Sequence, residues 1–295
     1  MANEYRPDSK KKLDLDDFKT DDNGKMSKEE CVKEMEAIGR ELADLQEWLY
    51  AARMNSVLIV LQGMDTSGKD GTIAHVMEAI NPQGCIVASF KAPNPTELSH
   101  DFLWRIHRKA PEKGMITIFN RSHYEDVLIT RVHGMIDKKT WERRYEHIKN
   151  FEDLLTDSGV IILKFMLHIS KEEQKARLLS REQDDEKAWK LAVADWEERR
   201  HWDEYKKAYE DAISATSTKN APWYIVPSDY KWYRSMIIAR IIAETLRPYK
   251  AAWKAELRDL GERRKAELNA MREKNGINID DKAGAGKNAK SKSKK

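Results

Sequence analysis

Residues 63–71 have the spacing of a phosphate-binding loop. The run Gly-Met-Asp-Thr-Ser-Gly-Lys-Asp-Gly places two glycines five positions apart and a lysine directly after the second. Glycines let backbone N–H groups turn towards one point, and a helix that starts there adds partial positive charge, so an anion is the natural occupant. The candidate phosphate-binding residues are Gly63, Thr66, Ser67, Gly68, Lys69, Asp70 and Gly71. A turn that only reverses the chain is the alternative, and the apolar run before the loop and the helical pattern after it argue against it.

Position 70 departs from the usual pattern of such loops. Asp70 stands where Ser or Thr would normally coordinate Mg²⁺. The metal ion must then be held differently, and Asp65 inside the loop offers a hard oxygen ligand near the phosphates. Asp70 is expected only to complement the dipole of the following helix. Lys69 is expected to reach the transferring phosphate.

A second polar group follows a later apolar run, in the sequence FNRSHYED at residues 119–126. In open α/β sheets, ligands bind at the carboxyl ends of the strands, which is where this group is expected. Arg121 can grip an acceptor phosphate with its planar guanidinium, and Glu125 can hold a metal ion, a water molecule or polar groups of a nucleotide. The alternative is that Arg121 and Glu125 only pair with each other.

A third group of cations lies between residues 175 and 190. Arg177 and Arg181 are four positions apart, so on a helix they share a face and could both close over phosphate charge in the transition state. For each arginine alone, a solvated helix face is an equally good interpretation, since charge runs usually are just that. The same segment carries Lys175, Lys187 and Lys190.

The elements that must position these residues alternate between strand and helix. Continuous apolar runs, typical of strands buried on both faces, occur at 56–62, 85–90, 115–119, 160–168 and 223–227. Helical patterns separate them, and one more precedes the first run. Helix starts are marked by a capping box of Ser27 and Glu30 and by Asn94 with Glu97. The pattern predicts an α/β fold with a five-stranded parallel sheet and helices on both faces.

The chain divides into four parts by composition. Residues 1–26 are polar and non-periodic, which predicts an extended arm that lies on the surface. Residues 27–247 form the domain with the loop, and residues 248–275 are expected to form an amphipathic helix that packs on the body or supports a homo-oligomer. Residues 276–295 are predicted to be a disordered lysine-rich tail.

Charge and cysteine usage narrow the class of protein. The formal net charge is +3, and six lysines lie within residues 282–295, so the rest of the chain carries −3. An anion site in the body must therefore come from local clustering of cations. No run reaches transmembrane length, no signal-peptide pattern opens the sequence, and the two cysteines lack metal-ligand spacing, so a cytoplasmic protein without a membrane partner is expected. Patterns of nucleic-acid-binding folds are absent, and no nucleic-acid partner is expected.

Four segments resemble the polyphosphate kinase 2 family. They are GMDTSGKDGT, FNRSHYEDVL, KFMLHISKEEQKARL and APWYIVPSDYKWYR, and the resemblance covers roughly residues 30–247. It implies a three-layer α/β/α P-loop kinase fold with a helical lid at about residues 175–200, Mg²⁺ as cofactor and inorganic polyphosphate as phosphoryl donor. The motif FNRSHYEDV separates this family from thymidylate and adenylate kinases.

The resemblance also implies roles for single residues. Asp65 and Lys69 would act in the loop, Arg121 and Glu125 on the acceptor side, and Arg177 and Arg181 in the lid. Asp101 and Arg105, on the helix expected after the second apolar run, would face the acceptor nucleotide, although from spacing alone they are only polar positions on an amphipathic helix. The segment SHYED resembles the type that phosphorylates both nucleoside mono- and diphosphates. From the chemistry of their carboxylates, the candidate metal ligands are Asp65 and Glu125.

The expected reaction is an in-line phosphoryl transfer from polyphosphate to AMP or ADP, or in the reverse direction, without a covalent enzyme intermediate. An ATP-dependent nucleoside monophosphate kinase would share every feature of the loop. A polyanion-binding module that works through the lysine tail is a third possibility, and the intact Lys69 argues against it.

Overall fold

Five parallel strands form the centre of the structure, a computed structural model that describes residues 2–8, 11–184 and 193–276. The strands are β1 (Ser56–Gln62), β2 (Cys85–Ser89), β3 (Ile116–Asn120), β4 (Val160–His168) and β5 (Trp223–Pro227). Their order across the sheet is β2-β3-β1-β4-β5, so β1 lies between β3 and β4. The strand order reverses beside β1, and ligands bind outside the carboxyl ends of strands at such a point.

The prediction of a five-stranded parallel sheet is confirmed. β1, β4 and β5 have the predicted bounds, because each apolar run is buried along its length. β2 ends one residue earlier than predicted, and β3 is shifted by one residue. β2 is an edge strand and is not buried on both faces as expected: Ile86 and Val87 are 49% and 43% exposed.

Helices cover both faces of the sheet. In the described residues they are α1 (Lys28–Ala52), α2 (Lys69–Met77), α3 (Pro95–Leu98), α4 (Trp104–His107), α5 (Ile129–Val132), α6 (Lys138–Asp157), α7 (Lys171–Glu182), α8 (Val193–Glu198), α9 (Trp202–Thr216), α10 (Lys231–Leu246) and α11 (Lys250–Lys274). Along β1, Val57 and Ile59 belong to the core with α1 and α10, whereas Leu58 and Val60 belong to the core with α6 and α9. This alternation produces the expected three-layer α/β/α core.

The N-terminal arm is more buried than its composition suggested. Tyr5, Leu13 and Leu15 are buried, and the Tyr5 hydroxyl is 2.7 Å from that of Tyr233 on α10. The backbone N–H of Leu15 donates to Glu210 at 3.0 Å. A few apolar residues dock the described part of this polar segment on the body, a contact that periodicity does not reveal.

The helix expected after β2 is interrupted. α3 starts at the predicted cap, Asn94 with Glu97, but ends at Leu98, and α4 begins only at Trp104. Asp101 lies between the two helices, where its carboxylate accepts the backbone N–H of Leu103 at 2.9 Å. The placement of Asp101 on a helix was therefore wrong, because its short polar side chain caps the next turn.

The C-terminal helix packs on the body only at its beginning. Trp253 is fully buried and donates its indole N–H to Asn55 at 3.0 Å. Further along α11, Leu268 and Met271 are 40% and 43% exposed. The tail lies outside the described residues, apart from Gly276. None of the helices within the described part of the chain is long and apolar enough to cross a bilayer.

A buried polar network lies beneath the carboxyl end of β3. Lys164 on β4 is fully buried and donates to Glu152 on α6 at 2.5 Å and to the carbonyl oxygen of Thr216 at 2.8 Å. The Tyr124 hydroxyl donates to Glu152 at 2.9 Å, and the His123 ring nitrogen lies 3.3 Å from the same carboxylate. The segment after β3 is thus fixed from below by two of its own side chains.

Removing the cation of this network should be more harmful than removing the whole ion pair. Lys164→Met leaves the Glu152 carboxylate buried without its countercharge, which typically costs about 3–5 kcal/mol. We expect the double variant Lys164→Met/Glu152→Leu to recover a large part of that loss, because no buried charge is left alone. Urea unfolding of both proteins measures the two free energies, and equal losses would contradict this account.

Candidate active site

The phosphate-binding loop connects β1 to α2 and adopts backbone angles that require glycine. Gly63 and Gly68 have φ of 149° and 105°. A Cβ at Gly63 would lie 2.7 Å from the carbonyl oxygen of Leu167, and a Cβ at Gly68 would collide with the guanidinium of Arg234. α2 starts at Lys69, directly after this turn. The loop therefore meets a helix N-terminus at the carboxyl end of the central strand, the arrangement that binds phosphate groups in proteins.

Lys69 lies across the loop. Its ammonium donates to the carbonyl oxygens of Gly63 at 2.8 Å and Met64 at 3.2 Å. Burial lowers the pKa of Lys69, and the nearby Asp65 carboxylate partly opposes that shift. No described carboxylate forms an ion pair with this ammonium, so its charge is available to an anion in the loop.

Side chains from α7 and α10 hold the loop from behind. Gln174 donates to the carbonyl oxygen of Asp65 at 3.0 Å, and Arg177 donates to those of Thr66 and Ser67 at 3.0 and 3.1 Å. Arg234 adds a bond of 3.0 Å to the carbonyl oxygen of Ser67. Arg177 is 8% exposed and also binds the carbonyls of residues 228 and 229. The structure thus places Arg177 against the backbone of the loop.

Arg121 follows β3 and faces the loop. Its φ of 62° lies in the left-handed region, which is uncommon for arginine. The guanidinium contacts Asp65 at 2.6 Å and Glu125 at 3.7 Å. The pair of Arg121 with Glu125 weighed from the sequence is thus present, with Asp65 as the nearer partner. Burial raises the pKa of Glu125, against the opposing effect of Arg121, and Gln62 donates to its carboxylate at 3.1 Å.

One cavity of about 950 Å³ at the carboxyl edge of the sheet is lined by Asp65, Lys69 and Arg121, whereas Glu125 is not among its lining residues. Of the described residues that line it, seven are basic and four are acidic, so it is positive although the body of the chain is mildly acidic. The basic ones are Lys69, Lys91, Arg121, Arg177, Arg181, Lys231 and Arg234. The acidic ones are Asp65, Asp70, Glu173 and Asp195.

Arg181 reaches the same cavity as Arg177 but has a different partner. It contacts Asp195 at 3.1 Å and is 25% exposed. Lys175 on the same helix is exposed and does not line the cavity. Lys187 and Lys190 lie outside the described residues. The helical spacing of four residues therefore brings both arginines to the cavity, Arg177 beneath the loop and Arg181 beside Asp195.

Asp101 and Arg105 do not reach the cavity within the described structure. Asp101 lines a separate small depression beside Trp104 and Arg108. Arg105 is 8% exposed and donates to the carbonyl oxygen of Lys91 at 2.8 Å. Its contact with the main cavity is thus indirect, through the backbone of Lys91, which does line it.

The sequence reasoning missed several residues of this site. Arg234, Gln174, Asp195 and Asn120 were not proposed, and Asn120 donates to Asp70 at 2.7 Å. Arg234 had a signal, since it is a charged residue within the apolar stretch of α10, at a position that faces the core. Asn120 also had a signal, since it lies in the polar segment 119–126 at the end of a strand. Gln174 and Asp195 had none, because a polar residue on a charged helix is ordinary.

The residues of the site fit a magnesium ion that is shared with phosphate. Asp65 and Glu125 both contact the guanidinium of Arg121, at 2.6 and 3.7 Å. No group of three or more metal-binding side chains occurs among the residues that the structure describes. Mg²⁺ usually takes only one or two carboxylates and completes its coordination with phosphate oxygens and water. The two carboxylates of Asp65 and Glu125 beside a phosphate-binding loop fit this mode of Mg²⁺ coordination.

These features define a P-loop kinase fold. The sheet is parallel, a phosphate loop follows its central strand, and a basic cavity lies where the strand order reverses. The family described as Polyphosphate kinase 2 matches residues 25–254, and the chain belongs to this family. The resemblance seen in the four sequence segments is thereby confirmed.

Relatives and solved structures agree with this membership. The AMP/ADP-polyphosphate phosphotransferase of Meiothermus ruber is 48% identical over 80% of this chain and 87% of the relative. The ADP-polyphosphate phosphotransferase of Rhodopseudomonas palustris is 45% identical over 85% of this chain and 91% of the relative. The crystal structure of a polyphosphate kinase 2 from Arthrobacter aurescens TC1 has a TM-score of 0.81 and 42% identity, and covers 83% of this chain and 88% of that chain.

Replacing the loop lysine should abolish most phosphoryl transfer and leave the fold intact. In Lys69→Ala the loop backbone keeps its bonds to Gln174, Arg177 and Arg234, but the charge at the transferring phosphate is gone. We expect a loss of turnover of about 10²-fold or more, with an unchanged circular dichroism spectrum. Lys139→Ala, at an exposed position at the start of α6, is the matched control. Near wild-type turnover in the Lys69 variant would remove this lysine from the site.

Proposed function

We propose that this chain transfers a phosphoryl group from inorganic polyphosphate to AMP and ADP, reversibly and with Mg²⁺. The observation that carries the proposal is the basic cavity in which Lys69 of the loop meets Arg121, the residue directly after β3. Membership in the family and the names of the relatives support polyphosphate as the donor. The cavity of about 950 Å³ has room for a nucleotide and several phosphate groups together.

The roles of the residues follow from the small amount of covalent chemistry in phosphoryl transfer. The protein must align donor and acceptor and neutralise the charge that spreads over the transferring group. Lys69 would donate to that group from the loop, and Arg121 would hold the acceptor phosphate opposite. Arg181 would add charge from the lid once Asp195 releases it. Arg177 would act by fixing the carbonyl oxygens of Thr66 and Ser67.

Asp65 and Glu125 would hold the metal ion. When bound, Mg²⁺ would supply positive charge to the phosphate oxygens. To bind it, Asp65 would exchange its contact with Arg121 for the metal, and Arg121 would then be free for the acceptor phosphate. Asp65 would thus link binding of the metal ion to release of Arg121 for the acceptor phosphate.

The proposal includes both nucleoside mono- and diphosphates as acceptors. The Meiothermus ruber relative is named for AMP and ADP, whereas the Rhodopseudomonas palustris relative is named for ADP alone. We further propose that the protein is cytoplasmic, with Cys31 and Cys85 as free thiols, and that it self-associates through the exposed apolar side chains at the end of α11.

A comparison of phosphoryl donors tests the activity. With ADP as acceptor, we expect rapid ATP formation from polyphosphate, and with AMP we expect ADP and then ATP. With AMP as acceptor, ATP in place of polyphosphate should support a rate lower by at least about tenfold, because the proposed donor site has no role for an adenine base. A faster reaction with ATP would indicate a nucleoside monophosphate kinase. Binding of polyphosphate without transfer would indicate a polyanion-binding module.

A magnesium titration tests the metal site. Asp65→Asn replaces a carboxylate with a neutral amide, a poorer ligand for a hard cation, so the half-saturating Mg²⁺ concentration should rise several-fold. Asp70→Asn is the matched control, since Asp70 bonds to Asn120 and is expected only to complement the helix dipole. If Asp65→Asn changes neither the rate nor the Mg²⁺ requirement, the metal-binding role passes to Glu125.

A further inference from the structure

Arg234 is the most deeply buried cation beside the loop. It lies on α10, is 2% exposed, and donates one hydrogen bond of 3.0 Å to the carbonyl oxygen of Ser67. Its guanidinium packs so closely against Gly68 that no Cβ could be accommodated there. Its Nε atom is buried and has no hydrogen-bond partner in the structure described. The side chain thus borders the cavity from behind the loop.

This buried charge has no described countercharge. None of the ion pairs among the described residues involves Arg234, and the charged group that acts on it most is another cation, Arg177. Both arginines donate to the same carbonyl oxygen, that of Ser67. Burial, and then the neighbouring Arg177, lower the pKa of Arg234 to about 10, so it still carries its charge near neutral pH. Buried charges are normally paired, because desolvation without a partner is costly.

Another arginine on the same helix shows the ordinary arrangement. Arg240 is 12% exposed and forms an ion pair with Glu34 of α1. Both side chains face inward from α10, and they differ mainly in their charge partners. The lack of a carboxylate at Arg234 is therefore a property of its place under the loop.

The loop contains further polar groups that lack partners. The hydroxyls of Thr66, Ser67 and Thr72 are buried and have no hydrogen-bond partner within the described structure. Each is in the loop or in the first turn of α2. Unsatisfied donors beside two cations are rare in native structures and mark a place where an anion belongs.

We propose that Arg234 is a positioning residue for the phosphate donor: it fixes the loop through Ser67, and its unpaired charge draws the phosphate chain onto the loop. The inference rests on the proposed function for the identity of the anion, a polyphosphate chain. At 2% exposure Arg234 does not reach the substrate, so it acts through the loop and through its electric field. A unit charge behind one layer of backbone, in a poorly solvated site, changes the affinity for an anion by about tenfold or more.

A role in bracing the loop and a role in binding phosphate predict opposite effects of Arg234 on the stability of the ligand-free protein. If Arg234 served only to brace the loop, its removal would destabilise the protein. Removing an unpaired buried charge that is kept for a ligand has the opposite effect. An apolar residue of similar size does not carry the cost of taking a charge out of water, so the protein becomes more stable. Arg234→Met should therefore raise the melting temperature of the ligand-free protein and weaken its binding of phosphate chains.

The test uses the full chain and inorganic tripolyphosphate as the probe. Melting temperatures with and without the probe, and calorimetric titrations, are compared for wild type, Arg234→Met, Arg234→Lys and the control Arg240→Met. We expect Arg234→Met to melt higher without the probe and to bind it at least about tenfold more weakly. Arg234→Lys keeps the charge and should retain most of the affinity. Arg240→Met breaks an ion pair, so it should melt lower and bind the probe as wild type does.

Steady-state kinetics add a second readout. Arg234→Met should raise the KM for polyphosphate much more than the KM for ADP, because only the donor lies on the loop in the proposed arrangement. Unchanged affinity of Arg234→Met for tripolyphosphate overturns the inference and leaves the proposed function untouched. Weak binding by wild type itself overturns both. Tight, Arg234-dependent binding without any transfer to ADP or AMP supports the inference and overturns the proposed function.

Discussion

The loop at residues 63–68 can present its backbone to phosphate only if its carbonyl oxygens are held elsewhere. Gln174, Arg177 and Arg234 donate to those of residues 65–67, and Lys69 donates to those of residues 63 and 64. These donors come from three helices that meet at the carboxyl edge of the sheet. The strand order brings those helices together, and the glycines at 63 and 68 let them approach the backbone. Three helices and the central strand thus converge on one short stretch of main chain.

The segment after β3 is held in a complementary way. Arg121 has a left-handed backbone, which is unfavourable for a residue with a Cβ unless its surroundings enforce it. Above, its side chain is held by Asp65 and Glu125. Below, the neighbouring His123 and Tyr124 are anchored on Glu152 and Lys164. The ion pair in the core and the carboxylates of Asp65 and Glu125 therefore hold the same short segment from opposite sides.

The parts that the sequence predicts well are those with local causes. Apolar runs give the strands almost to the residue, and the capping box of Ser27 and Glu30 marks the start of α1. The loop is found because its glycines, its lysine and its neighbouring elements are adjacent in the chain. The position of Arg177 could not be found in this way. Spacing shows that it shares a face with Arg181, but only the packing of α7 on the loop decides that Arg177 lies beneath the backbone.

Asp101 and Arg105 show a second limit of prediction from the sequence. Arg105 contacts the cavity only through the backbone carbonyl oxygen of Lys91, a contact that side-chain types and their spacing do not reveal.

Within the cavity, Asp65, Glu173 and Asp195 each contact one arginine, namely Arg121, Arg177 and Arg181. These three ion pairs involve neither Lys69 on the loop nor Arg234 behind it. Because these two cations lie on either side of the same turn of backbone, they concentrate positive charge at the loop, where the phosphate chain is proposed to bind.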